Sequence, residues 1–323
     1  MTTDDTVGGR VDAWAARRGL RLLGYNPWEI IVDAVRAGLR HRISGLAAEM
    51  AFFASLALIP FTAAFGGVLG YIEPWAGPNS VERTEAVVTQ VMTIILGPEL
   101  VVDVAAPYVQ AQLEQARGGL AIGGLVAGLW LASRVFLPAV HALDLAYSAV
   151  ENRTIVRRRI ISLALALASL VVITLQVLLL VFGPLLGGAH DLALRFGLST
   201  SFAVLWDILR WPAVGAVLAI YLLAVYRYVP ARRIGWRQSL PGTAVAVLAW
   251  LLVAAGFRAY LATGVQPGQG VQLTTEAMTS VGRALGALVA TVLWVFLSSV
   301  AVLFGGEINA AVDRRRRHHA AAT

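Results

Sequence analysis

Six long apolar stretches, at about 44–71, 119–147, 160–186, 202–226, 239–262 and 283–311, take up most of this chain, and arginine collects in alternate gaps between them. Each stretch is long enough to cross a hydrocarbon core of about 30 Å as a helix, and far longer than a membrane β-strand needs. Hydrocarbon offers no partner to a backbone N–H or C=O, so runs of this length are restricted to helices. The expected fold is all-α: a polytopic membrane protein with six transmembrane helices and an outer amphipathic helical segment between helices 1 and 2.

All 26 basic residues are arginine. They cluster before the first stretch (Arg10, Arg17, Arg18, Arg21, Arg36, Arg40, Arg42), after the second (Arg153, Arg157, Arg158, Arg159), after the fourth (Arg227, Arg232, Arg233, Arg237) and after the sixth (Arg314 to Arg317). Six alternating helices put those four segments on one side, and short basic loops resist translocation. That side is therefore cytoplasmic, with both termini inside. The lack of lysine fits a GC-rich bacterial genome, so the expected location is the bacterial cytoplasmic (inner) membrane, multi-pass.

At 58% hydrophobic residues over 323 positions, the chain has no room for a separate soluble catalytic domain. Residues 1–43 form a cytoplasmic N-terminal segment without a cleavable signal, 44–312 the six-helix domain, and 313–323 a basic cytoplasmic tail. Within the first of these, Ile30, Ile31, Ala34, Val35 and Leu39 share a helical face away from Asp33, Arg36 and Arg40. That spacing predicts an interfacial amphipathic helix on the cytoplasmic leaflet. The net charge of +7 reads as topology and as attraction to anionic lipid headgroups at that leaflet rather than as a nucleic-acid surface. The expected partners are membrane lipids and no nucleic acid.

Between the first two stretches, 72–118 is more than a plain loop. Val88, Val91, Met92 and Ile95 follow helical spacing, Gly97-Pro98 interrupts, and Val101, Val104 and Tyr108 resume it. The segment reads as a bent pair of amphipathic helices resting on the membrane or capping the bundle: a lid, a docking surface for an envelope protein partner, or a long connector packed on its own bundle. Pro60, Pro138 and Pro184 are candidate bends in spans one, two and three.

Ionisable residues inside spans carry the functional argument, because each costs a few kcal/mol near the bilayer centre unless it faces protein or water. Arg134 lies near the middle of span two, with His141 on its face and Asp144 to one side. Glu49 in span one and Glu307 in span six sit at comparable depths in the cytoplasmic half, and Asn309 follows Glu307. With spans one, two and six as neighbours, Glu49, Arg134, His141, Asp144, Glu307 and Asn309 would line a polar cavity open to the cytoplasm, holding a headgroup, an ion or a proton. The same residues would equally serve as interhelical hydrogen bonds and ion pairs. On the outer side, Asp207 and Arg210 are spaced to pair on span four. Trp130 and Trp294 lie too deep for an interfacial belt, which points to packing.

Chemistry of other kinds lacks its residues. No cysteine is present, the five histidines form no HxH or HExxH, and neither a GxxxxGK[ST] loop nor a GxSxG elbow occurs. The expectation is a protein that is not an enzyme and does not hydrolyse ATP, with no catalytic, cofactor-binding or metal-binding residues.

Several strings together carry a family likeness: Leu46-Ala47-Ala48-Glu49-Met50-Ala51-Phe52-Phe53-Ala54-Ser55-Leu56 with Pro60; Leu129-Trp130-Leu131-Ala132-Ser133-Arg134; Ala142-Leu143-Asp144-Leu145-Ala146-Tyr147; Tyr226-Arg227-Tyr228-Val229-Pro230 leading to Pro241-Gly242; and Phe304-Gly305-Gly306-Glu307-Ile308-Asn309. In order and spacing, from about 28 to 312, they resemble the YihY/BrkB family of bacterial inner-membrane proteins. The chain departs from that pattern at Asp144, where Asn is usual, and in lacking a Tyr-Gly pair before the last span. The resemblance implies six transmembrane helices, cytoplasmic termini and a role in envelope-lipid homeostasis. It also implies a history of mislabelling as ribonuclease BN.

Residues and resemblance together point to a membrane transporter or flippase-like protein handling a lipid or anionic amphiphile. In that reading Arg134 contacts the anionic group, and Glu49, Asp144 and Glu307 are proton or gating carboxylates. The alternative is a membrane scaffold recruiting an envelope partner through 72–118, and a ribonuclease is a distant third.

Overall fold

The computed structural model describes residues 27–76, 118–148, 153–185, 200–232, 234–262 and 276–322. They form helices α1 (Pro27–Arg40), α2 (Ile43–Ala76), α3 (Gly118–Ala146), α4 (Ile155–Leu185), α5 (Thr200–Tyr228), α6 (Trp236–Ala262) and α7 (Glu276–Ala322), with no strand among the described residues. Residues 77–117, which hold most of the expected outer segment, lie outside the described residues. So do residues 1–26.

From α2 to α7 each helix packs on its successor, and α7 closes the ring against α2 while also touching α3. Helix α1 lies across the end of this ring, on α7 and α2. Its start suits the sequence: Pro27 leaves no N–H to satisfy, Glu29 sits in the first turn, and Arg40 in the last. The helix stops where Arg42 takes a left-handed conformation (φ 53°), turning the chain into α2. Ser148 does the same after α3, at φ 48°.

Four described stretches are long and apolar enough to cross a membrane: Ile122–Ala146, Ile155–Gln176, Trp236–Phe257 and Leu288–Arg317. Ile43–Leu58 and Pro212–Tyr228 are apolar parts of the longer helices α2 and α5. The outside of the ring is itself apolar, with Ile122, Val126, Ile160, Val171, Ile220, Leu252 and Val289 all exposed. So large a continuous apolar surface is stable only against lipid or another protein.

The core sits at the arginine-rich end. Val140 and Leu143 of α3, with Tyr147 in the turn just after it, meet Leu222 and Tyr226 of α5, Ala246 of α6 and Ala310 of α7. A second cluster joins Ala47 and Met50 of α2 to Ala139, Ala142 and Leu303. Helices α6 and α7 come into backbone contact at Gly242 and Gly305, where a Cβ on either glycine would collide with the other's carbonyl. Such close approach is characteristic of small residues in membrane helix pairs. The helical assignment runs unbroken through Pro60 and Pro138. The tail expected at 313–323 is, as far as Ala322, a continuation of α7.

Candidate functional site

The ring places the intramembrane charges in two separate settings. The first is the buried end of α7, beneath α1. Gly305 and Gly306 let Tyr226 and Leu143 approach α7 closely, and Tyr226 donates its hydroxyl hydrogen to the Val302 carbonyl at 2.6 Å. One turn further, Glu307 is 1% exposed, and its Oε1 lies 2.6 Å from Nδ1 of His41 in the α1–α2 turn. Asn309 accepts the Gly242 N–H on Oδ1 at 2.7 Å, next to Pro241, which has no N–H of its own. Glu307 Oε2 is buried without a hydrogen-bond partner among the described residues. The buried Tyr147 hydroxyl lies alongside the Asn309 side chain and within electrostatic reach of Glu307 and Asp313. A buried polar atom left unsatisfied costs about 1–3 kcal/mol.

Around this cluster the arginine-rich segments do more than set topology. Arg315 donates from Nη1 to Glu29, and from Nε (2.9 Å) and Nη2 (2.6 Å) to Asp33, fastening α1 to α7. Arg314 donates to the Ala146 carbonyl at 2.8 Å, at the C-terminus of α3. Arg153 reaches the Val229 carbonyl and Arg227 the Ile234 carbonyl, tying the α5–α6 turn in place. Asp313 pairs with Arg317 at 3.0 Å. Asp144 accepts the Ala231 N–H at 2.7 Å and so anchors the same turn.

The second setting is the outward face of α3. Val135, Ala139, Ala142, Leu143 and Ala146 pack into the ring, whereas Trp130, His141 and Leu145 are exposed on the opposite stripe, which Arg134 shares. Arg134 is the central residue of the 25-residue apolar stretch Ile122–Ala146. Its guanidinium carbon lies 5.0 Å from the centre of the Phe53 ring of α2 and 5.3 Å from that of Trp130. Both distances are within cation–π range. Arg159 of α4 approaches the same Trp130 ring at 6.0 Å.

The six residues expected to share one cavity are therefore divided. Glu307 and Asn309 meet at the buried end of α7, and Asp144 is buried nearby on α3. Arg134 and His141 lie on the outward stripe, about 15 Å separating Arg134 from Asp144 along the helix axis. Glu49 is exposed on α2, on the stripe that carries Phe52 and Leu56. Asp207 and Arg210 lie in α5 with side chains outside the described residues. Trp294 packs edge-on against Trp250 at 6.5 Å, but Trp130 is 53% exposed. Sequence reasoning assigned no role to His41 or Tyr147 and read Arg159 as topology alone. Tyr147 falls within one of the family strings, but the contacts of all three are with residues on other helices, which spacing along the chain does not show.

A ring of long apolar helices with an apolar outside defines a multi-pass α-helical membrane protein. The chain belongs to the virulence factor BrkB family, whose model matches residues 34–323. It is similar to the putative ribonuclease-like protein YfkH of Bacillus subtilis (strain 168), at 28% identity over 278 residues covering 86% of this chain and 92% of the relative. A UPF0761 membrane protein of Cronobacter sakazakii is 25% identical over 284 residues, 86% of each chain. A UPF0761 membrane protein of Xanthomonas oryzae pv. oryzae is 26% identical over 280 residues, which span only 59% of that longer relative. No solved structure matches.

Proposed function

We propose that this protein is a membrane transporter or flippase-like protein that handles a lipid or anionic amphiphile without hydrolysing ATP. The observation that carries this reading is Arg134. A guanidinium in the middle of an apolar helix, half-buried beside two aromatic rings, is costly to maintain and has no structural partner of opposite charge among the described residues. It is suited to an anionic group arriving from the lipid side.

The chain crosses the bacterial inner membrane six times with both termini cytoplasmic, in keeping with the distribution of arginine. Helix α1 lies in the headgroup layer: Ile30, Ala34 and Ala37 face the bundle, and Ile31, Val35 and Leu39 stay exposed in an i, i+4, i+8 row. Glu307, buried and half satisfied beside His41, is the carboxylate assigned to gating or proton movement. Transbilayer movement of a labelled anionic phospholipid in reconstituted vesicles tests the reading. Arg134→Ala and Glu307→Gln should each slow it, and folded variants that move lipid as the parent does would overturn it.

A further inference from the structure

The outward face of α3 carries two guanidiniums, not one. Arg134 lies 5.3 Å and Arg159, from α4, 6.0 Å from the centre of the same Trp130 ring, so their guanidinium carbons are separated by no more than these two distances combined. Arg134 Nε and Arg159 Nη1 are both buried without a hydrogen-bond partner, and no carboxylate pairs with either guanidinium among the described residues. Two like charges that share one ring repel each other where water is scarce. An indole face offsets part of that repulsion but supplies no hydrogen-bond acceptor.

What would balance the pair is an anion with several acceptor oxygens, entering from the side on which Trp130 is exposed. We propose that Arg134 and Arg159 jointly bind the phosphate of a membrane lipid in the groove between α3 and α4, with Trp130 as its floor. A phosphate accepts from two guanidinium forks at once, which a single carboxylate does less well. The opening decides between a lipid and soluble phosphate. Exposed Ile122, Val126 and Ile160 on the same two helices make an apolar approach suited to acyl chains. Arg159 stands in the second turn of α4, at the arginine-rich end, so the headgroup enters from that leaflet and its phosphate is drawn toward Arg134. This assignment rests on the reading of Arg134 as an anion contact, and adds the second ligand and the chemical class.

Native mass spectrometry of the detergent-purified full chain, titrated with phosphatidylglycerol, tests it. One lipid should bind in preference to the rest. Arg134→Ala and Arg159→Ala should each weaken that binding at least tenfold, and Trp130→Leu by several fold. Arg157→Ala, next to the site in sequence but exposed, should bind as the parent does. Arg134→Lys and Arg159→Lys, which keep the charge but lose the planar fork, should bind with intermediate affinity, and a monodisperse elution profile shows that each variant is folded. Full displacement of the lipid by inorganic phosphate would overturn the lipid assignment. Unchanged binding in folded Arg159→Ala with loss in Arg134→Ala would overturn the two-arginine site and leave the proposed function standing. Tight binding that needs both arginines, without transbilayer movement in vesicles, would support this site and overturn transport.

Discussion

Nδ1 of His41 sits 2.6 Å from Oε1 of Glu307, joining the turn between α1 and α2 to a carboxylate on α7 that is otherwise sealed inside the bundle. The contact makes the buried end of α7 depend on a segment at the edge of the protein.

Removing His41 leaves a buried carboxylate oxygen without its partner. His41→Ala should therefore destabilise the protein by about 1–3 kcal/mol, the cost of an unsatisfied buried group. Glu307→Gln keeps an oxygen to accept from the ring and removes the buried charge, so it should cost less. Thermal unfolding in detergent separates the two, and equal melting of His41→Ala and the parent would show that the contact contributes nothing.

The Gly242–Gly305 crossing predicts opposite outcomes for two glycines of one helix. At Gly242 a methyl would meet the Gly305 carbonyl and Asn309, whereas nothing lies within 4 Å of a Cβ at Gly256. Gly242→Ala should destabilise by about 1–3 kcal/mol through overpacking. Gly256→Ala should stabilise by about 0.4–1 kcal/mol by restricting the unfolded chain. A matched pair of melting curves checks both signs.

Arg315 holds α1 through Glu29 and Asp33, and the three side chains are only partly exposed. Arg315→Glu should release the helix, seen as faster amide hydrogen exchange across 27–40 with little change in α3 or α6. Adding Asp33→Arg should restore part of the protection. Unaltered exchange in Arg315→Glu would mean that the apolar contacts of Ala34 and Ile30 alone dock α1.

The helices were largely readable from the chain because apolar length decides them. The stretch at 119–147 becomes α3 at Gly118–Ala146, and that at 239–262 becomes α6 at Trp236–Ala262. Helix ends depart from the apolar runs: α7 extends over Glu276–Ala322, and α4 begins at Ile155, not near 160, and takes Arg157 to Arg159 into its first turns. An apolar run marks where a helix meets lipid, not where its hydrogen bonding starts, and a long arginine can lie along apolar surface.

The rotation of each helix about its axis was not readable. Lipid and neighbouring helices are both apolar, so periodicity says little about which face of α3 looks inward. Arg134 was grouped with Glu49, Asp144 and Glu307 by taking spans one, two and six as neighbours; those helices do pack together, but adjacency does not say which face of each looks inward. Positions such as His41 and Tyr147 gain meaning only from partners far away in sequence.

The central claim is that Arg134 meets the anionic group of a lipid that the protein moves. The most direct measurement is the rate at which fluorescent phosphatidylglycerol crosses the bilayer of vesicles carrying the full chain, set beside Arg134→Ala incorporated at equal density. Movement should run well above that in protein-free vesicles and at least tenfold slower with Arg134→Ala. Equal rates for the two proteins, or a parent rate no faster than empty vesicles, would contradict it.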